Sequence, residues 1–403
     1  MDNGKKLKII FINKSFQLGG TETLILRMAL WCAQKDISVS IFCENMTVEI
    51  RNSLVNDNIN IVYLKKLDDK EIKTKLEEYD DSYKLNIYSF DFNAFMQIEN
   101  ARKKINSSLN IDTYLYVVHP NCLIKTGRLK IPFIKEIYVS FYKSIIIKLL
   151  KNNNVLFMDE QTIEATQNYY NIIINEDAKK IIRLPMFIQK VSPNIFKEKY
   201  KKDTFNILTI ARAEFPFKGY LIGLIDDYEK LKKTYEYLCL SIISYGEGEE
   251  IIRDKIARMP IDIQKDIKLI GKIPYEMLNN YFDEANLYIG MGTTVLDAAN
   301  NGVPSIVTAC NTYECITTGY FWQNVDNLGY CEEKMLPCKE LIKEVVSMSL
   351  EEYIEMCRNN YKYFEEMYNI DYIMGKIINS RNLKKQVAIS KRDLKIVKMF
   401  SRH

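Results

Sequence analysis

The sequence has 403 residues, a formal net charge of +4, 47% hydrophobic residues and 27% charged residues. This apolar fraction is enough for large buried cores, so the composition excludes a mainly disordered chain. The weak net charge gives no reason to expect a nucleic-acid partner. The length predicts roughly two to three domains of ordinary size.

Short apolar runs alternate with helical patterns in the first half of the chain. A helix is predicted at 22–35, where apolar residues recur at helical spacing. Strands are predicted at 7–12, 39–43, 59–64, 85–89, 114–118, 155–158 and 181–184. Strands that alternate with helices indicate parallel βαβ units with helices on both faces of a sheet.

The same alternation restarts after a charged stretch at 197–203, which we interpret as the edge of a linker. Strands are predicted at 206–210, 238–244, 267–270, 287–289 and 305–307, and helices at 339–346, 350–367 and 370–379. The predicted fold class is therefore α/β, with two doubly wound Rossmann-like domains facing a central cleft that binds the ligand. We place the domains at 1–190 and 204–370, and a C-terminal helix and basic tail at 371–403 that packs back on the first domain.

The cysteine and histidine content argues against a zinc site. The nine cysteines are scattered without a Cys-x-x-Cys pair, and the two histidines are His119 and His403. We interpret the cysteines as reduced thiols of a cytoplasmic protein. No window reaches the ~18 apolar residues of a spanning helix, and the start lacks the pattern of a secretory signal.

The first strand of the second domain leads into Ala-Arg-Ala-Glu-Phe-Pro-Phe-Lys-Gly at 211–219. Arg212 lies at the strand end and Lys218 at a helix entry, so both can point to the ligand side of a parallel sheet. A guanidinium and an ammonium there would hold a diphosphate and neutralise the charge of a leaving nucleotide. The alternative is two solvated loop cations.

A second strand end leads through Gly290-Met291-Gly292 into a predicted helix that starts with Thr293 and Thr294. The N–H groups and positive dipole end of such a helix form a phosphate cradle, and a threonine hydroxyl can cap it. Asp297, one turn further on, can accept hydrogen bonds from two ribose hydroxyls. Alternatively, it only stabilises the helix N-terminus, by roughly 0.3–1 kcal/mol.

The first domain has a comparable turn, in which Gly19 and Gly20 follow the first strand. Two glycines there let the backbone approach an anion closely. No Gly-x-Gly-x-x-Gly is present, so a dinucleotide fingerprint is not predicted. We interpret Glu22 as a first-turn acid that favours the helix dipole.

Five motifs follow one another along the chain. They are Gly19-Gly20-x-Glu22, Arg212-x5-Lys218-Gly219, Tyr245-Gly246-Glu247-Gly248, Gly271-Lys272-Ile273-Pro274 and the Leu-Asp-Ala-Ala-Asn-Asn-Gly-Val-Pro block at 296–304. Over about residues 7–380, this order resembles the family 4 glycosyltransferases of the GT-B fold. That family transfers a sugar from a nucleotide-activated donor with retention of anomeric configuration, generally without a metal.

The resemblance implies roles for individual residues. Arg212 and Lys218 hold the donor diphosphate, Asp297 stands where the family has a ribose-binding glutamate, and His119 faces the donor sugar. The remaining donor-binding residues are Gly19, Gly20, Gly292, Thr293 and Thr294 near the phosphates, and Gly246, Lys272 and Ile273 around the base. For His119, a packing histidine satisfied by backbone stays open as the alternative.

The sequence departs from the family in one position. The family often carries a Glu-x7-Glu pair, whose first glutamate usually faces the sugar and here falls on or near Ile289. Three functions therefore stay open. The first is a retaining, metal-independent hexosyltransferase that uses a UDP- or GDP-sugar, without a cofactor, to extend a glycan or lipid-linked glycan in cell-surface polysaccharide biosynthesis. The others are a non-catalytic GT-B nucleotide-sugar-binding or partner subunit, and a GT-B nucleotide-sugar epimerase.

A basic amphipathic helix is predicted at 130–151, where apolar residues alternate with Lys135, Lys143, Lys148 and Lys151. Such a helix can lie on an anionic membrane, and the basic tail after residue 380 adds electrostatic attraction. This predicts a peripheral protein at the inner face of the cytoplasmic membrane. The alternative is a core helix whose lysine stems cover apolar surface.

Overall fold

A computed structural model describes residues 5–17, 19–105, 109–124, 132–200, 203–323, 328–329, 335–383 and 389–400. The chain divides into two compact units. The first contains Met1–Phe187 together with Ile370–His403, and the second contains Ile188–Asn369. Each unit is built on its own largely parallel sheet.

The N-terminal part of the first unit alternates strands and helices. In chain order, these are β1 (Lys6–Ile12), β2 (Ser15–Phe16), α1 (Gly20–Gln34), β3 (Ser38–Cys43), β4 (Asn45–Met46), α2 (Val48–Ser53), β5 (Ile59–Tyr63), α3 (Asp69–Leu76), β6 (Tyr83–Ser89), α4 (Phe92–Arg102), β7 (Asn110–Val117), α5 (Pro132–Lys151), β8 (Val155–Phe157) and α6 (Glu160–Tyr170). A single 3-10 turn follows at Glu176–Ala178.

The main sheet of the first unit has the order β5-β3-β1-β6-β7-β8, with parallel neighbours throughout. Ile9, Ile10, Phe11 and Ile12 of β1 are fully buried, because helices cover both faces of this sheet. The strand predicted at 181–184 is wrong: this segment makes one isolated bridge, between Ile181 and Phe157. The short strands β2 and β4, which the sequence did not predict, pair with each other.

The second unit repeats the alternation. In chain order, its elements are α7 (Pro193–Glu198), β9 (Phe205–Arg212), α8 (Tyr220–Lys232), β10 (Leu238–Tyr245), α9 (Glu249–Ala257), α10 (Ile261–Gln264), β11 (Ile267–Ile270), α11 (Leu278–Glu284), β12 (Leu287–Gly290), α12 (Thr293–Asn300), β13 (Ser305–Thr308), β14 (Ile316–Tyr320), β15 (Leu336–Pro337), α13 (Cys338–Val346) and α14 (Leu350–Tyr368). A 3-10 turn at Tyr275–Met277 precedes α11.

The sheet of the second unit has the order β11-β10-β9-β12-β13-β14-β15. Its strands are parallel except β14 and β15, which pair in antiparallel fashion and were not predicted. The linker interpretation of 197–203 is wrong in part: α7 includes Lys197, and Lys199 is buried with its ammonium donating to the Phe282 carbonyl at 2.7 Å. The strand order places the carboxyl ends of β9, β10 and β12 side by side, and there the candidate site residues lie.

After the second unit, the chain returns to the first through α15 (Ile370–Asn379) and α16 (Lys391–Phe400). The indole N–H of Trp31 donates to Asp371 at 2.8 Å, and the Tyr88 hydroxyl donates to the Ile377 carbonyl at 3.1 Å. Three apolar residues of the last segment belong to the same buried cluster as α5, namely Ile389, Leu394 and Val397. The C-terminal helices are therefore part of the first unit's core.

Helix α5 packs in that core as well. Its buried side chains include Tyr142, Ile146 and Leu149. The ammonium of Lys143 donates to the Asn171 carbonyl at 2.8 Å, and Lys148 pairs with Asp393 of α16 at 3.1 Å. Of the predicted helix, residues 130–131 lie outside the described residues. Across the described ranges, no helix is long and apolar enough to cross a membrane.

Candidate functional site

Lys218 is a partly buried cation at the carboxyl edge of the second sheet. A Cβ built on Gly292 would lie 3.9 Å from its Nζ, so the ammonium sits beside the start of α12. Burial lowers the pKa of Lys218 from 10.5 to about 8, and repulsion from Arg212 acts in the same direction. Among the described residues, its ammonium has no hydrogen bond or ion pair to compensate for the lost water, although it lies 5.1 Å from the centre of the Phe217 ring. A bound anion would compensate for the water that this ammonium has lost.

Arg212 ends β9 and lies across from Tyr245, the residue that ends β10. Its Nη1 donates to Glu214 at 2.8 Å, and hydrogen bonds to Glu214 and Tyr245 raise the pKa of Arg212. A Cβ on Gly246 would lie 3.2 Å from the Arg212 Cγ, so this glycine gives the arginine stem room. The predicted pair of cations is thus brought to one edge of the sheet, with half of the Arg212 side chain exposed.

Helix α12 begins next to Lys218 and has no side-chain cap, because its N-cap residue is Gly292 with a φ of 75°. Its first N–H groups are therefore open to an anion. The prediction that a threonine caps this helix is wrong. The Thr294 hydroxyl instead accepts a 2.6 Å hydrogen bond from the buried Tyr288 hydroxyl, and Thr293 is the first helical residue.

Asp297 is buried one turn into α12, and its carboxylate accepts a 2.7 Å hydrogen bond from the Tyr275 hydroxyl. Tyr275 itself is half exposed and belongs to the 3-10 turn after Pro274. The nearby Lys272 is exposed, with its ammonium 5.7 Å from the centre of the Tyr245 ring. The loop after β11 therefore contacts both the end of β10, through Lys272, and the Asp297 carboxylate of α12, through Tyr275. Tyr275 was not among the predicted site residues, because no local pattern marks it.

Ile289 occupies the position where the resemblance suggests a sugar-facing carboxylate. It is fully buried within β12 and pairs with Ile306 of β13. Strand β12 continues to Gly290, where a Cβ would lie 2.5 Å from the Tyr288 hydroxyl. A carboxylate at Ile289 would be buried in an apolar cluster, so this position serves packing.

Gly19 and Gly20 stand at the start of α1 in the first unit. Gly19 is the N-cap residue and makes no side-chain cap. The Glu22 carboxylate accepts from the Asn13 amide at 3.0 Å, and a Cβ on Gly19 would meet Glu22 at 2.5 Å. A Cβ on Gly20 would meet nothing within 4 Å, so its backbone is approachable.

His119 follows β7 in the first unit. Its Nδ1 accepts the backbone N–H of Asn121 at 3.0 Å, and burial lowers the pKa of His119 below 6.5. At neutral pH the ring is therefore neutral and carries its proton on Nε2. The backbone contact at Nδ1 fits the alternative of a packing histidine. The same contact fixes the tautomer, so that Nε2 carries a hydrogen-bond donor as the functional interpretation requires.

The described residues contain no group of three or more histidine, cysteine, aspartate or glutamate side chains that could hold a metal ion. Every predicted site residue lies within the described ranges. The structure collects Arg212, Lys218, Gly292 and Asp297 in the second unit, together with the predicted base-side residues Gly246, Lys272 and Ile273. Gly19, Gly20 and His119 belong to the first unit.

Comparison with known proteins gives one curated relative and a consistent fold. No family model matches the chain. An uncharacterized glycosyltransferase of Methanocaldococcus jannaschii is 26% identical over 186 residues, which is 43% of this chain. The match spans 42% of that relative's length.

The solved structures cover nearly the whole chain. HepE of Anabaena, crystallised with UDP and glucose, has a TM-score of 0.61 at 13% identity and covers 92% of this chain and 98% of its own. The lipopolysaccharide outer core galactosyltransferase WaaB has a TM-score of 0.53 at 15% identity and covers 98% of this chain and all of its own. WaaG, a glycosyltransferase involved in lipopolysaccharide biosynthesis, has a TM-score of 0.53 at 13% identity and covers 92% of this chain and 100% of its own. The chain therefore has the fold of the GT-B glycosyltransferases, and the predicted fold class is confirmed.

The buried ammonium of Lys218 leads to a prediction about stability. Because its pKa is lower in the folded state, the charged form destabilises the fold below pH 8, and this penalty disappears as the pH rises from about 8 towards 10.5. At pH 7 we expect Lys218→Met to raise the free energy of unfolding by about 1–3 kcal/mol. The measurement is urea unfolding by fluorescence of Trp322, with Trp31 replaced by Phe so that the signal comes from the second unit.

Lys362→Met is the control, because the Lys362 side chain is 68% exposed and that of its ion-pair partner, Glu366, is 61% exposed, so its charge is well hydrated. It should change the free energy of unfolding by less than about 0.5 kcal/mol. A Lys218→Met variant less stable than the wild type at pH 7 would contradict the interpretation of Lys218 as an uncompensated cation.

Proposed function

We propose that this protein is a glycosyltransferase that takes a sugar from a nucleotide diphosphate donor. The single observation that carries the proposal is the desolvated, uncompensated ammonium of Lys218 beside the uncapped start of α12. A diphosphate satisfies both, because it supplies the anion for the ammonium and acceptors for the open N–H groups. The GT-B fold and the curated glycosyltransferase relative support the same class of activity.

The proposed chemistry follows from these charges. An acceptor hydroxyl attacks the anomeric carbon from the face that the nucleotide leaves, which retains the configuration. The bond from that carbon to the phosphate oxygen breaks, and the hydroxyl proton passes to the departing phosphate. Arg212 and Lys218 stabilise the charge that develops on the diphosphate, and no metal or cofactor is required. The nucleoside extends towards Gly246, Lys272 and Ile273.

The finer assignment rests on the resemblance and on the neighbours. We propose a UDP- or GDP-hexose as donor and a glycan or lipid-linked glycan of a cell-surface polysaccharide as acceptor. The phosphates contact the backbone N–H groups of Thr293 and Thr294 beside Gly292, whose own N–H donates to the Leu328 carbonyl at 2.7 Å. The approachable turn at Gly19 and Gly20 is a further proposed contact. His119, neutral with its proton on Nε2, is proposed to donate to a hydroxyl of the donor sugar.

Removal of either cation tests the proposal. Arg212→Ala and Lys218→Ala should each fold but bind UDP roughly 10- to 100-fold more weakly in calorimetry, because each removes a charge-assisted hydrogen bond. Donor turnover should fall at least as far. Lys230→Ala, an exposed cation of the same unit, should match the wild type. Near-wild-type binding and turnover in both site variants would refute the role of the pair.

The same experiment has a pH dependence of known sign. Because the pKa of Lys218 is about 8 in the unliganded protein, wild-type affinity for UDP should fall by roughly tenfold per pH unit above pH 8. Lys218→Arg keeps its charge in this range and should show a flat profile between pH 7.5 and about 9. Equal pH profiles for the two proteins would contradict the assignment.

Asp297 and Tyr275 form the proposed ribose subsite. Asp297 is four residues along α12 from Thr293, which is about 6 Å of helix rise and matches the step from a diphosphate to its ribose diol. Asp297→Asn should weaken UDP by roughly tenfold and 2′-deoxyUDP by much less. Tyr275→Phe removes the hydroxyl that donates to Asp297. It should also reduce the preference for UDP over 2′-deoxyUDP, but by less than Asp297→Asn does. Tyr372→Phe, an exposed tyrosine of the first unit, is the control.

An epimerase or a non-catalytic subunit remain the competing functions. The buried Ile289, which removes the expected carboxylate, is the observation that favours a non-catalytic subunit. Slow hydrolysis of the donor without an acceptor separates the three: a transferase releases UDP, an epimerase returns a converted donor, and a pure binding subunit leaves the donor intact.

We propose that the first unit contacts an anionic membrane when the acceptor is lipid-linked. The supporting observation is a groove lined by the exposed Ile173 and Leu383, with Lys151 and Asp177 as its charged residues. Apolar side chains flanked by lysine bind such interfaces. Deletion of the tail is not a clean test of this proposal, because Ile389, Leu394 and Val397 are core residues.

The sharper test therefore changes the groove alone. Ile173→Ser combined with Lys151→Gln should lower co-sedimentation with phosphatidylglycerol vesicles by at least about threefold. Ile261→Ser combined with Lys265→Gln changes equivalent exposed residues of the second unit and should have no effect. Unchanged co-sedimentation of the groove variant would remove the membrane proposal.

A further inference from the structure

Glu214 places a carboxylate next to the two cations of the candidate diphosphate site. Its Oε1 accepts from the Arg212 Nη1 at 2.8 Å. Its charge also acts on Lys218, since attraction to Glu214 opposes the lowering of the Lys218 pKa. The protein itself thus supplies a carboxylate that pairs with the Arg212 guanidinium.

The backbone holds Glu214 in place. The Lys218 N–H donates to the Glu214 carbonyl at 2.7 Å, and the Glu214 N–H donates to the Arg212 carbonyl at 2.8 Å. One short turn therefore carries Arg212, Glu214 and Lys218. The side chains of Arg212 and Glu214 are each about half exposed, at 48% and 49%, so the pair is accessible to an arriving anion.

A fixed carboxylate affects donor and product differently. A nucleotide sugar carries one charge on each phosphate, because the sugar esterifies the terminal phosphate. The nucleoside diphosphate released after transfer has a free terminal phosphate that ionises a second time with a pKa near 6, so it carries more negative charge at neutral pH. Repulsion from a neighbouring carboxylate grows with that charge.

We propose that Glu214 is a built-in competing anion, which occupies the Arg212 guanidinium before the donor arrives and repels the nucleoside diphosphate product more strongly than the donor. It limits product inhibition and speeds release. This inference rests on the proposed function and adds a residue that discriminates between substrate and product. Glu214 is an electrostatic residue here, with no part in bond formation.

The test is calorimetric titration of the full chain with UDP, UDP-glucose and inorganic pyrophosphate. Glu214→Gln should lower the Kd for UDP roughly three- to tenfold and the Kd for UDP-glucose by only about twofold. The variant should therefore prefer UDP over UDP-glucose more strongly than the wild type does. Inhibition of turnover by UDP should strengthen in parallel. The difference between variant and wild type should shrink as salt is added, because the pair is exposed.

Two variants serve as controls. Glu214→Asp keeps the charge and should stay within about twofold of the wild type for all three compounds. Glu340→Gln removes an equally exposed carboxylate, paired with Lys343 on α13, and should change nothing. Urea unfolding confirms that Glu214→Gln is folded, since an exposed pair contributes little to stability.

The outcomes separate this proposal from the function on which it rests. Weaker or unchanged UDP binding by Glu214→Gln, with wild-type binding that depends on Lys218, overturns the role of Glu214 and leaves the proposed function standing. An equal gain for UDP and UDP-glucose overturns the discrimination between product and donor. No binding of UDP, GDP or pyrophosphate to the wild type overturns both proposals.

Discussion

The candidate site of the second unit depends on one costly arrangement: the ammonium of Lys218 is held out of water, and among the described residues it has no hydrogen bond or ion pair. Burying such a charge destabilises a fold unless a ligand compensates for it. Its neighbours are consistent with that need: Gly292 leaves the start of α12 uncapped, and Arg212 brings a second cation from β9. An anion site at this place is our proposal, and it would trade stability for binding, as binding sites commonly do.

The sequence predicted those parts of the fold and site that depend on local pattern. Strand β11 has the predicted bounds, and most other strands differ by one or two residues, because buried parallel strands are short apolar runs. The predicted placement of Arg212 at a strand end and of Lys218 at a helix entry is confirmed, because such points can be read from local pattern. The antiparallel β14 was missed, since its segment contains Gly319 and few apolar residues.

The contacts that give these residues their properties could not be read from sequence. Tyr275 reaches Asp297 across 22 positions, and Tyr288 turns the Thr294 hydroxyl into the sheet. Helix α5 shows the same difficulty on a larger scale. Its apolar and basic pattern fits a membrane surface, but Lys148 pairs with Asp393, which lies 245 residues later in the chain. Periodicity identifies a buried face without identifying what covers it.

The return of the chain to its first unit has a consequence for biosynthesis. Residues Ile188–Asn369 form one continuous segment, whereas the first unit lacks Leu394 and Val397 of its core until the ribosome has passed that segment. The second unit can fold once it has been synthesised, whereas the first unit still exposes the apolar surface that the C-terminal helices will cover. A chaperone therefore has the most apolar surface to protect while the N-terminal half has been made and the C-terminal helices have not.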